Sequence, residues 1–227
     1  MKNIAASNNI SLTGDAIGLC VAGGNSVSID KATCNYNKSA TTHTARGMYF
    51  VTSLQSGSLH NIATEGNYNG EQVIGLHLQQ PLSIEMDNVT ASRNSGTSRS
   101  YGIFLDGQSA SGANVSILHG IINNNITSAT ATTMAAADTT ATVSKHLPVN
   151  TADSVTGFTN VLEGGFGIYI YQVDSCYFTD VEASKNTGVR AGGVYIATCN
   201  DCTLQDCKTS FQQATGEYFY TADPFNS

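Results

Sequence analysis

Tryptophan is missing from this 227-residue chain, proline occurs three times, and only 12 % of the residues are charged. Asn, Ser, Thr, Gly and Ala take the place that Lys and Glu hold in helical proteins, so helix bundles and coiled coils are excluded as the main architecture. Ten Lys plus Arg against 17 Asp plus Glu leave a net charge of −7. No basic patch can form from so few cations, which excludes nucleic acid as a partner. No apolar stretch is long enough to span a membrane as a helix. The start, MKNIAASNNISL, lacks the apolar run of roughly 7–15 residues that marks a signal peptide. The expectation is therefore a cytoplasmic protein, or a segment excised from a larger extracellular or particle-surface one. Residues 3–12 read like the tail of a preceding repeat.

What the chain does contain is a repeat. Aligned on a glycine, it reads IGLCV, RGMYFV, IGLHL, YGIFL, FGIYI and GGVYI, around Gly18, Gly47, Gly75, Gly102, Gly167 and Gly193. Successive glycines are 29, 28, 27, 65 and 26 residues apart, so one interval alone breaks the period. Units of this size bury their apolar faces only against one another, which makes self-similarity decide the fold.

Numbered from the glycine as zero, positions +1 and +3 are apolar in every unit, from Leu19/Val21 to Val194/Ile196. That alternation is the period-2 signature of a strand with one buried face. A second apolar set falls at +9 and +11 (Val27/Ile29, Ile84/Met86, Cys176/Phe178) and a third at +14 and +16. Position +19, allowing for short insertions, is Asn37, Asn67, Asn94, Asn125, Asn186 and finally Gln212. Three short strands closed by an amide-bearing turn describe one coil of an all-β, right-handed parallel β-helix. Asn is expected to supply the left-handed backbone of the turn, and its stacked amides to form a ladder along the axis.

In these residues the chain resembles the pectate-lyase-like superfamily, over roughly residues 3–213 apart from 126–164. The resemblance implies a single solenoid domain across 1–227 with about six to seven coils. Residues 126–164 are expected as a long loop or degenerate coil, and 214–227, with Tyr218, Phe219, Tyr220 and Phe225, as a cap. It does not imply one activity, because lyases, hydrolases, tailspikes and adhesins share the scaffold.

The superfamily's enzymes supply a test. Pectate lyases use calcium-binding carboxylates and an arginine base, yet Arg46, Arg93, Arg99 and Arg190 share no repeat position. Polygalacturonase-type segments (NTD, DD, GHG, RIK) do not occur, and His119-Gly120 lacks the first glycine of GHG. Asp180 and Asp206 share position +13 in neighbouring units and could stack, but paired surface carboxylates are more often solvated charges. No catalytic residue and no cofactor is assigned.

Six cysteines leave three readings open. Cys34, Cys176, Cys202 and Cys207 fall in inward columns, where thiols pack as small hydrophobes. Cys176 and Cys202 share a column and could cross-link in an oxidising compartment. Cys199-Asn-Asp-Cys202 is a C-x-x-C, but a zinc site wants a second close pair and none follows, so no metal is expected.

One column remains. Position +2 lies between two inward residues and should face solvent; it holds Cys20, Tyr49, His77, Phe104, Tyr169 and Tyr195, with Tyr171 widening it. An aromatic stripe on a flat sheet is a candidate contact surface for sugar rings or a second subunit. Stacking between strands is the structural alternative. The expected function is a non-catalytic structural, adhesive or fibre module. It would contact a glycan, or assemble laterally or end to end, through Tyr49, His77, Phe104, Tyr169, Tyr171 and Tyr195. A polysaccharide lyase or hydrolase working in a surface groove is the second expectation.

Overall fold

A computed structural model describes residues 1–107, 113–128, 164–188, 191–196, 199–210 and 212–214. It is an all-β parallel solenoid of about five turns. Six to seven coils were expected from six glycines; the six glycine-bearing crossings enclose only five full turns. The first sheet stacks β1 (Lys2–Ala5), β3 (Val27–Thr33), β5 (Gly57–Ala63), β7 (Ser83–Thr90), β9 (Asn114–Ile121), β12 (Val173–Glu182) and β15 (Cys199–Gln205). The second runs from β2 (Ala16–Gly24) through β4 (Thr44–Leu54) and β6 (Tyr68–Gln79) to β8 (Ser95–Asp106). Beyond β8 it divides. Short segments β10 (Ile126–Thr127), β13 (Thr187–Gly188) and β16 (Gln213–Ala214) continue its first half, and β11 (Gly164–Tyr171) with β14 (Ala191–Ile196) its second. The solenoid thus claims residues 126–127 and 164, which sequence reading gave to the excursion. Residues 129–163 of that excursion, and 215–227 of the expected cap, lie outside the described residues.

Inward columns build one core along the axis. Met48, Leu76, Ile103 and Ile168 stack at +1; Phe50, Leu78, Leu105 and Ile170 stack at +3, all in register and no more than 1 % exposed. The sets at +9/+11 and +14/+16 belong to one continuous strand rather than two. Each such strand turns at +13, where Lys31, Asn61, Asn88, His119, Asp180 and Asp206 adopt φ between +52° and +60°. That conformation disfavours side chains with a bulky Cβ and is tolerated best by Asn and Asp. Asp180 and Asp206 share a column for this backbone reason, which accounts for the pair without a catalytic role.

The closing turn is built differently from expectation. Its left-handed residue is the one before the ladder: Tyr36, Gly66, Arg93, Asn124 and Lys185, with φ from +57° to +64°. The ladder asparagines point inward instead. From Asn9 to Asn125, each Nδ2 donates to the next Oδ1 at 2.7–3.0 Å, and each backbone N–H donates to the same oxygen at 3.0–3.3 Å. The backbone N–H of Asn186 donates to Gln212 Oε1 at 3.0 Å, and Gln212 Nε2 ends the series on Ala183 carbonyl oxygen at 2.7 Å.

The repeat glycines exist to make room for this ladder. A Cβ on Gly75 would sit 2.6 Å from the Gly102 carbonyl oxygen and 2.9 Å from Asn94 Nδ2. One on Gly102 would sit 2.8 Å from Asn125 Nδ2. At Gly18, Gly75, Gly102 and Gly167 the glycine and the ladder asparagine are therefore one requirement seen twice, whereas at Gly47 and Gly193 backbone carbonyls and a threonine take up the space. Asn37 and Asn125 each open an Asn-x-Ser/Thr glycosylation sequon, but both are ladder members with no exposed surface, so the folded protein offers neither for glycosylation.

Candidate functional site

Positions +2 do come together, but not as an open stripe. Tyr49, His77, Phe104, Tyr169 and Tyr195 are register neighbours on β4, β6, β8, β11 and β14. Their rings follow one another at 4.7, 4.7, 5.5 and 4.9 Å between centroids; all are parallel-stacked except the edge-on Phe104–Tyr169 pair. His77, Phe104 and Tyr169 are only 1–2 % exposed, whereas Tyr49, Tyr195 and Tyr171 are half-buried. Rings at this spacing cover each other's faces, so the centre of the column is a second hydrophobic core rather than a solvent-facing surface. Ile74, Tyr101 and Phe166, one residue before the glycine, complete the cluster. Sequence reasoning missed them, although all three stand beside the repeat glycines in IGLHL, YGIFL and FGIYI.

His77 carries the chemistry of this cluster. Arg46 Nε donates to its Nδ1 at 3.3 Å, which places the ring proton on Nε2. That N–H is buried without a partner. Burial, and then the Arg46 charge, hold the imidazole pKa well below its usual value, so His77 is neutral. The Arg46 guanidinium also lies 4.4 Å over the Tyr49 ring and pairs with Asp15 at 3.2 Å.

The outer face of the first sheet is the polar counterpart. Ser28, Ser58, Glu85 and Ser116 occupy one outward column in direct register. With Ser56 and Ser83 they line a shallow groove of about 330 Å³. Two residues further along each strand, Asp30, His60 and Asp87 form the next column. Ser58 Oγ and His60 Nε2 are 2.6 Å apart, because residues i and i+2 of a strand share a face. His60 Nδ1 is 3.8 Å from Asp87 Oδ2, whose other oxygen meets His119 Nδ1 at 2.8 Å. The His119 hydrogen bond lowers the Asp87 pKa, and the same bond raises that of His119. These groups are exposed and carry no large stabilising energy. None of Ser58, His60 or Asp87 was singled out from sequence. The strand register across β5 and β7 was needed to see them together.

The cysteines resolve in two ways. Cys34 and Cys176 are buried, and desolvation pushes their thiols up to about 11 and about 12. Cys207 is half-buried with its pKa also raised by burial, and Cys20 is exposed. Cys199 and Cys202 are joined by a disulfide, a pairing that none of the three sequence readings contained, with Cα atoms 6.3 Å apart. Cys176 is the register partner of Cys202 on the adjacent strand, and the Sγ atoms of Cys176, Cys199 and Cys202 all lie within 4.8 Å of one another. Among the described residues no helix is long and apolar enough to cross a membrane. Comparison with known proteins gives no match to a family model, a curated protein or a solved structure.

Proposed function

We propose that this chain is a structural and adhesive β-solenoid that contacts a neutral polysaccharide along the serine-lined groove of its first sheet. One observation carries the reading. Ser28, Ser58, Glu85 and Ser116 repeat at strand spacing, about 4.8 Å, along a face that is concave and unfilled. Hydroxyls and a carboxylate at a fixed spacing match the donor and acceptor pattern of a sugar chain. Glu85 lines the groove, Asp30 and Asp87 stand in the next column, and the chain is acidic overall, which favours neutral over polyanionic polymers. The aromatic column belongs to the other sheet and packs as a separate cluster, and its half-buried ends, Tyr49 and Tyr195, are the places where it meets solvent.

Affinity electrophoresis in gels containing neutral and acidic polysaccharides checks this. Retardation is expected in at least one neutral gel, and a Ser58→Trp/Ser116→Trp variant, which fills the groove, should run about tenfold less retarded with unchanged circular dichroism. Free migration of the wild type in every neutral gel would end the reading.

A second reading, an enzyme that hydrolyses ester groups on a polysaccharide, is favoured by one observation: the Ser58–His60 contact at 2.6 Å beside the same groove. A serine hydroxyl facing a histidine nitrogen, with a carboxylate behind, is the arrangement for acyl transfer. Its weakness is that Asp87 gives its short contact to His119. Acetate release from acetylated polysaccharide, abolished by Ser58→Ala, is the expected result on this reading; no release above the Ser58→Ala background removes it.

A further inference from the structure

We propose that the reduced protein binds one soft, thiophilic cation of the copper(I) type between Cys176, Cys199 and Cys202. Sequence spacing argued against a metal because the C-x-x-C has no second close pair. The register supplies what spacing lacks: Cys176, on β12, is set beside Cys202, on β15, by the parallel pairing of the two strands. Cys199 reaches the same point because only Asn200 and Asp201 separate it from Cys202 on β15, and both side chains pack against the core. Three sulfur atoms within 4.8 Å of one another are close to a trigonal site, in which ligands about 2.3 Å from the metal stand about 4.0 Å apart. Cys176 is buried and the other two half-buried, so the cation would lie at the edge of the core with limited solvent access.

The donor set selects the ion. Thiolates prefer soft metals, and three of them without a fourth side chain suit a three-coordinate copper(I) better than the closed tetrahedron of structural zinc. No other His, Cys, Asp or Glu among the described residues joins the three within that distance. The acidic chain, with Asp174 and Asp201 beside the cysteines on β12 and β15, favours cation approach.

In the structure two of the three sulfurs are bonded to each other. Binding therefore requires a reductant, such as a phosphine. Phosphorus gives two electrons to the disulfide, water supplies the oxygen of the phosphine oxide, and its two protons go to the Cys199 and Cys202 sulfurs. Copper(I) then replaces the thiol protons, which pass to solvent, so affinity should rise with pH.

The test uses the full chain, reduced with a phosphine, desalted without oxygen, and titrated with copper(I) against bicinchoninate. Wild type should withhold one copper per chain from the competitor and gain an ultraviolet thiolate-to-copper band. Cys199→Ser, at a half-exposed position unlikely to unfold the chain, should weaken binding at least 100-fold and lose the band, as should Cys176→Ser. Cys20→Ser and the unreduced wild type serve as controls, the first binding like wild type and the second not withholding copper. Copper retained by Cys199→Ser, or taken up equally by the oxidised protein, would overturn the proposal, as would no retention by the reduced wild type.

Discussion

Asn94→Leu is expected to lower the stability of the folded chain by about 3–5 kcal/mol, the largest loss for any single side chain outside the apolar core. Asn94 is fully buried in the middle of the ladder. It accepts from both the backbone N–H and the Nδ2 of Asn67, and donates to Asn125 Oδ1 at 2.9 Å. Leucine removes those partners at once. It strands the two Asn67 donors, while Asn125 Oδ1 keeps only the Asn94 backbone N–H at 3.3 Å, and each buried polar atom left without a partner costs about 1–3 kcal/mol. The apolar replacement recovers a fraction through packing. Space limits the recovery, because the Gly75 α-carbon stands where leucine's branched end would go: even a Cβ there would be 2.9 Å from Asn94 Nδ2. Asn94→Asp should cost as much, since a carboxylate accepts but cannot donate upward to Asn125. Urea unfolding followed by circular dichroism measures both. A loss below about 1 kcal/mol for either would show that the ladder follows from the coils rather than holding them.

His77→Phe should change the acid tolerance of the protein by an amount that grows with each pH unit. His77 is 2 % exposed and neutral in the folded state, its pKa held down first by burial and then by Arg46. In the unfolded chain it titrates near its ordinary value, about 6.5. The unfolded state therefore binds the extra proton first, and stability falls as pH drops below that value. The slope reaches about 1.4 kcal/mol per pH unit and ends only at the depressed folded pKa. Phenylalanine keeps the stack between Tyr49 and Phe104, whose centroids each lie 4.7 Å from the imidazole. It also deletes the unpartnered Nε2–H, so at pH 7 the variant should match or exceed the wild type by about 1 kcal/mol. Denaturation at pH 7, 5.5 and 4.5 reads the difference directly. A constant difference across the three would mean that His77 protonates as easily folded as unfolded.

Much of the fold was legible in the letters, for a reason visible in Gly75 and Asn94. A solenoid repeats each residue's environment in the next coil, so one physical demand is written several times in the same place and stands out from chance. The apolar columns, the glycines and the amide ladder were all read this way. The left-handed turn residue was misplaced by one position, because Tyr36, Arg93 and Lys185 hold a conformation that their side chains do not advertise. Exposure at the centre of the +2 column was misjudged too: alternation identified these residues as outward, but His77, Phe104 and Tyr169 are buried, and outward from the inner core is not the same as exposed.

The sequence by itself determined the repeat, the parallel solenoid, the inward columns and the asparagine ladder, since each depends on residues at fixed separations within one coil. Tertiary structure alone decided what lies side by side between coils. It closed the aromatic column into a second core, set Ser58 and His60 beside Asp87, and brought Cys199 to the Cys176–Cys202 pair. The physical reason is register. Insertions of one to four residues shift the glycine count from coil to coil, while hydrogen bonding between parallel strands fixes partners one by one, and only the folded sheet carries out that alignment.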